Sequence, residues 1–136
     1  MRAYLSIKYH ADGRNRPAIE RISALLEEQG LDTICITRDL EEWGQVSFAP
    51  RELMRQTFEA IEASDVVVIE LTEKGVGVGI EAGYAAAMCI PVVTIARAGA
   101  DVSETLRGIS QNVVLYKEYD ELTGCFGKLR NELRNG

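Results

Sequence analysis

The stretch Asp65–Val93, DVVVIELTEKGVGVGIEAGYAAAMCIPVV, decides how this chain is read. Val66-Val67-Val68-Ile69 is a continuous apolar run, the pattern of a strand buried on both faces. It ends on the acidic Glu70 and passes into Gly75-Val76-Gly77-Val78-Gly79. Glycine at three alternate positions lets the backbone turn sharply and come close to a ligand. Glu81 follows, then a helix of small residues (Gly83, Ala85, Ala86, Ala87), and Pro91–Ala96 returns as another strand. A glycine-rich turn from strand to helix is a common cradle for a sugar or phosphate group. Here it also carries a carboxylate. The reading places Glu81 in the first helical turn, where unpaired N–H groups favour the charged form.

The chain around this stretch repeats the same alternation. Ala3–Lys8 is a short apolar strand, broken by the polar loop Tyr9–Gly13. Asn15 is placed to cap a helix with Pro17 in its first turn. Ala18, Ile19, Ile22, Leu25 and Leu26 recur at helical spacing, and Gly30 supplies the stop. Thr33–Thr37 (TICIT) reads as a second strand, and 38–49 as an irregular loop rich in acids. Trp43 in that loop is either a lid that stacks on a base or an anchor at the rim. Pro50 opens a helix with Leu53, Met54, Phe58 and Ile61 inward. After the Pro91 strand come a loop with a short helix over 97–107, a fifth strand at Val113–Tyr116, and a last amphipathic helix through Leu122, Phe126, Leu129 and Leu133. Strands alternating with helices imply a parallel sheet covered on both faces. With right-handed crossovers the expectation is one α/β domain over 1–136, a flavodoxin- or Rossmann-like three-layer sandwich of strand order 2-1-3-4-5. Ligands in such sheets sit beyond the carboxyl ends of the strands, at the switch between strands 1 and 3.

Composition narrows the function classes. A net charge of −6 makes a nucleic-acid polymer a poor partner, though local donors still suffice for a small phosphorylated ligand. No apolar run approaches the roughly 18 residues of a membrane span, and the amino terminus has no signal-peptide pattern. Cys35, Cys89 and Cys125 share no CxxC spacing, so the expectation is three buried free thiols in a reducing cytoplasm, with no metal.

The glycine run lacks both the G-x-G-x-x-G fingerprint with its distant acid and the G-K-[ST] ending of a P-loop. With one histidine, His10, read as a solvated loop residue, a Ser-His-Asp set does not arise. Asp65 stands at the start of its strand, which argues against a phospho-acceptor. Three readings of Glu81 remain open on pattern alone. It is a helix-terminus carboxylate of purely structural value, a ligand of sugar hydroxyls, or a nucleophile that attacks an anomeric carbon.

At this point SDVVVIELTE followed by GVGVGIEAGYAAAMCIPVV resembles the core of the nucleoside 2-deoxyribosyltransferase superfamily, where the segment reads ADVVVAE, then G-x-G-x-E-x-G-x-A and an apolar strand. Ser103-Glu104-Thr105-Leu106-Arg107-Gly108 resembles the S-x-x-[IL]-R-G of its 2'-deoxynucleoside 5'-phosphate N-hydrolase branch. The resemblance implies cleavage of the N-glycosidic bond of a nucleoside or its 5'-monophosphate without a cofactor. Glu81 would be the nucleophile and Tyr4 the hydroxyl that orients it. Ser6, Lys8, Gly75, Gly77 and Gly79 would hold the substrate. Ser103 would reach the phosphate in a neighbouring subunit's site, which implies a homodimer or larger. Base exchange by a transferase, or a nucleotide-sensing module without turnover, are the alternatives.

Three positions depart from that pattern. Gly75 stands six residues before Glu81, where transferases carry an acid and the 5'-phosphate N-hydrolases a serine. Thr57 stands eight residues before Asp65, where relatives carry an aspartate near the leaving base. Asp39, Glu41 or Glu42 would replace it only if their loop folds over the site. The first loop, SIKYHADGRNR, is not the glycine-rich G-S-I-R-G-G of the hydrolases.

Overall fold

A computed structural model describes all residues, Met1–Gly136. Five parallel strands, β1 (Arg2–Ile7), β2 (Asp32–Ile34), β3 (Val66–Glu70), β4 (Val92–Arg97) and β5 (Asn112–Tyr116), form one sheet of order β2-β1-β3-β4-β5. The order is the expected one. Strands β1 and β3 sit at its centre, paired from Ala3↔Val66 to Ile7↔Glu70.

Side chains alternate along each strand, so the sheet feeds two cores. On one face Ala3, Leu5, Val66, Val68, Val93 and Ile95 meet α1 (Arg16–Glu28) and α6 (Leu122–Asn135). On the other, Tyr4, Val67, Ile69, Val92 and Ala96 meet α3 (Pro50–Glu62), α4 (Val76–Ala87) and α5 (Glu104–Ile109). Every residue of β3 is buried, as its unbroken apolar run requires. Gly30 ends α1 at φ +83°, where an added Cβ would lie 2.7 Å from Arg130 Nε.

Several local expectations are corrected. Strand β2 ends at Ile34, and Ile36–Asp39 forms a single helical turn, α2. Its entry is closed by Asp39, whose carboxylate accepts from Cys35 N–H at 2.8 Å. That local bond outweighs the β-branched preference of TICIT. Asn15 stands at the start of α1 without capping it; its side-chain amide donates to the Lys8 carbonyl and ties down the first loop. On α3 the buried residues are Thr57, Ala60 and Ile61, with Leu53, Met54 and Phe58 half-buried. Only Cys35 is fully buried; Cys125 is half-buried, and Cys89 is exposed in a left-handed turn just after α4. Burial raises the Cys35 thiol to about 11. His10 is largely covered and pairs with Glu73 at 2.7 Å rather than standing in solvent. Asp65 accepts from Arg2 N–H at 2.8 Å, a structural use of its carboxylate.

Candidate active site at the switch point

The glycine turn differs from its expected form in one consequential way. Gly75 is the residue before the helix, and α4 already runs from Val76, so Glu81 lies in the second turn, beyond the free N–H groups. The helix tolerates Gly77, Gly79 and Gly83 because Val78, Ala82 and Ala85 pack into the core and hold it. Packing of one face overrides a propensity cost of about 1 kcal/mol per glycine.

What receives Glu81 is strand β1. Tyr4 and Ser6 stand two residues apart, so both side chains leave the same face of the sheet. The Tyr4 hydroxyl donates to Glu81 Oε1 at 2.6 Å, and the Ser6 hydroxyl donates to Oε2. Each carboxylate oxygen thus carries one fixed hydroxyl. Both donors are buried. Burial raises the Glu81 pKa above the ordinary carboxylate range, and the bonds from Ser6 and Tyr4 pull partly against it. The helix end is therefore not what charges this group. Burial also pushes the Tyr4 phenol well up, assisted by the Glu81 charge, so Tyr4 remains a donor.

Glu81 opens into a cavity of about 500 Å³ beyond the carboxyl end of β1. Ile7, Lys8 and Tyr9 line one side, Ile36, Thr37 and Glu41 a second, Leu53, Met54 and Thr57 of α3 a third. Gly75, Val76, Gly77 and Val78 close it around Glu81. The walls are largely apolar with few polar groups, the make-up of a small-molecule site. A larger open groove, about 980 Å³, lies at the opposite end of the sheet beside Met1, Pro91 and α6. Ligands of open parallel sheets bind at the carboxyl ends of the strands, and the groove holds neither Glu81 nor its two donors. The smaller cavity is the candidate site.

Of the residues expected there, Glu81, Lys8, Gly75 and Gly77 line the cavity. Tyr4 and Ser6 stand beneath Glu81 and hold it, so Ser6 has a partner other than a substrate phosphate. Gly79 faces outward on α4. Ser103 caps α5, accepting from Thr105 N–H at 3.3 Å, and does not border this cavity. Trp43 lies under the Arg16 guanidinium, 4.5 Å from its ring centroid, and packs on the α1 core. It is an anchor, not a lid.

Of the three loop acids weighed as replacements for the missing aspartate, one arrives, and a further buried acid was given no role by the sequence. Glu41 reaches the cavity while Asp39 is held by Arg38 at 2.9 Å and Glu42 is exposed. Glu70, an acid ending the most apolar strand, is fully buried; it accepts from Thr72 N–H at 2.6 Å, from Thr72 Oγ1 at 2.7 Å and from the Tyr116 hydroxyl. Its place at the very end of a buried run was the available signal. A second hollow of about 290 Å³, on the α1 side of the same strand ends, joins Lys8, Arg14 and Arg97 with Glu70 and Glu73.

Fold and site together define a flavodoxin-like α/β domain with a hydrogen-bonded carboxylate at its topological switch point. Known proteins make the likeness more specific. The chain is 27% identical over 133 residues to a Thermofilum pendens protein provisionally named 2'-deoxynucleoside 5'-phosphate N-hydrolase 1, with 89% of each covered. It superposes on the CMP N-glycosidase BcmB of Clostridium botulinum with a TM-score of 0.69 and 20% identity, covering 97% of this chain and 99% of that one. It superposes on a 2-deoxyribosyltransferase of Bacillus psychrosaccharolyticus with a TM-score of 0.70 and 10% identity, covering 90% of each. No family model matches the chain. The Thermofilum protein carries the name of the 5'-phosphate N-hydrolase branch that the sequence resembles, and the two solved structures share the fold over nearly the whole length.

Proposed function

We propose that this protein hydrolyses the N-glycosidic bond of a nucleoside 5'-monophosphate, including 2'-deoxy substrates, with Glu81 as nucleophile. The observation that carries the reading is the Tyr4–Glu81–Ser6 arrangement. A carboxylate aimed into a cavity by one hydroxyl on each oxygen is positioned to attack an anomeric carbon and hold the sugar as an ester. The apolar walls from Ile36, Leu53 and Met54 suit a base, and Lys8 offers a cation at the rim for a phosphate. The two relatives whose names specify a substrate are named for nucleotides. No metal-binding group of three or more His, Cys, Asp or Glu side chains is present, and the reading requires none.

The test is base release, followed by chromatography, from a panel of nucleosides and their 5'-monophosphates. Release from the monophosphates, without an added acceptor base, is the expected result. Release only with an acceptor base would instead make the protein a deoxyribosyltransferase, and binding without release would make it a sensing module.

The same reading has a second copy of the chain as partner. Helix α4 turns Val76, 83% exposed, together with Ile80 and Gly83 to the surface, and Met88 just after it extends this apolar stripe beside the site. Sedimentation is expected to give a dimer, and Ile80→Glu to shift it to monomer. No helix is long and apolar enough to cross a membrane. With Cys35, Cys89 and Cys125 all unpaired, a reducing cytoplasm is the compartment this reading favours.

A further inference from the structure

Besides Glu81, the cavity walls carry three titratable side chains, Lys8, Tyr9 and Glu41, and Glu41 is the only other carboxyl. Its position is fixed from the backbone. Glu41 N–H donates to the Ile36 carbonyl at 2.9 Å, while its own carbonyl accepts from Gly44 N–H at 2.9 Å and Val46 N–H at 3.0 Å. Its neighbours are fastened to opposite cores, Leu40 to the α3–α4 side and Trp43 to the α1 side. Three consecutive residues, Glu42, Trp43 and Gly44, hold left-handed backbone at φ +46°, +59° and +93°. For the first two that conformation is strained, and strain of this kind persists where the surroundings enforce it.

The opposite wall needs what Glu41 offers. Thr57 stands where a proton donor to a leaving base would be expected, but its hydroxyl donates to the Leu53 carbonyl at 2.8 Å, inside its own helix. We infer that Glu41 is the general acid that protonates the leaving base, supplying from the turn after α2 the group that α3 lacks. The inference rests on the N-glycosidase reading above.

The step balances as follows. A Glu81 carboxylate oxygen bonds to the anomeric carbon as the C–N bond breaks, and the bonding pair leaves with the base. The base takes the proton of the Glu41 carboxyl, which becomes a carboxylate. Water then attacks the anomeric carbon of the ester, Glu41 accepts one of its protons, and Glu81 departs as carboxylate. The sum is substrate plus water giving sugar phosphate plus base, with both acids restored.

The groups facing Glu41 agree with that role. Tyr4 on β1 is close enough to feel the Glu41 charge, while Lys8 and Tyr9 of the loop after β1 and Glu81 of α4 line the same cavity; its α3 side, Leu53, Met54 and Thr57, adds no titratable side chain. Burial alone raises the Glu41 pKa, with no ion pair or hydrogen bond set against it. A raised carboxyl keeps its proton to higher pH, so an activity that needs that proton falls as pH rises through its titration.

The test compares Glu41→Gln with the wild type on two leaving groups. On the nucleotide identified by the panel, base release is expected to drop about 10²-fold. The basic limb of the pH profile disappears with it. On a 4-nitrophenyl glycoside of the same sugar phosphate, whose leaving group departs without protonation, the nitrophenolate burst keeps its wild-type rate. Glu41→Asp, which retains the acid, is expected to fall between the two and guards against misfolding of the amide variant. Unchanged base release in Glu41→Gln, or equal loss on both leaving groups, overturns the assignment and leaves the N-glycosidase reading standing. No release by the wild type from any panel member overturns both.

Discussion

Glu81→Gln is expected to lower base release by roughly 10⁴-fold or more, the scale on which enzymes lose turnover when a nucleophile is removed. The substitution is nearly isosteric, so Tyr4 and Ser6 retain an oxygen to bond and the cavity keeps its shape. What goes is the carboxylate, and with it the glycosyl ester. A stability measurement gives an independent reading of the same group. Because burial raises the folded-state pKa of Glu81, the protonated acid is the form that folding favours. Its contribution to stability is full below the ordinary carboxylate range and is lost as pH rises through the raised pKa. Glutamine carries no such loss. The melting temperature of Glu81→Gln relative to wild type is therefore expected to climb as pH rises across that window and to level off above it. An inactive variant that grows relatively more stable with pH identifies a carboxylate kept charged for chemistry. A variant that keeps base release removes Glu81 from the nucleophile's role.

The stretch that makes this testable was also the most legible. Val66–Ile69 declared a doubly buried strand, and the spacing of strands and helices left few topologies other than order 2-1-3-4-5. From that order alone the Gly75–Glu81 turn and the end of β1 fall at one switch point, and the hydrogen bond between Tyr4 and Glu81, 77 residues apart, is a consequence. What the sequence hid was local. Glycines at 75, 77 and 79 suggest a loop, yet two of them lie inside α4, because Val78 and Ala82 have a core to enter. Hence Glu81 sits in the second turn, and its environment comes from burial and two hydroxyls instead of a helix end. The turn that follows α2 was hidden for a different reason. Left-handed backbone at Glu42 and Trp43 is announced by no glycine or asparagine, and only tertiary contacts, Leu40 on one core and Trp43 on the other, bring it about. Glu41 owes its place in the cavity to that fold of the chain.

Removing both hydroxyls that hold the nucleophile, as Tyr4→Phe with Ser6→Ala, is expected to cut turnover by about 10²- to 10³-fold with little change in KM. A hydrogen bond to a charged group is worth about 1.5–3 kcal/mol, and about 1.4 kcal/mol is tenfold in rate. Each donor serves one carboxylate oxygen, so a single substitution leaves the group half-aimed and the pair leaves it free to rotate. The hydroxyls also stabilise the carboxylate that departs when water opens the ester, so the second step of the reaction slows as well. The direction of the pH effect is fixed by the same bonds. Ser6 and Tyr4 both pull the Glu81 pKa down against its burial. Without them it rises further, and the acid limb of the activity profile, where Glu81 must lose its proton, moves to higher pH. Ser6→Thr, which keeps a donor at the same strand position, is expected to hold the limb near its wild-type place. Phenylalanine preserves the packing of a Tyr4 side chain that is only 1% exposed. If Tyr4 were merely a core aromatic, Tyr4→Phe alone would match the wild type in rate and pH profile. A loss of rate accompanied by the upward shift of the acid limb assigns the hydroxyl to Glu81.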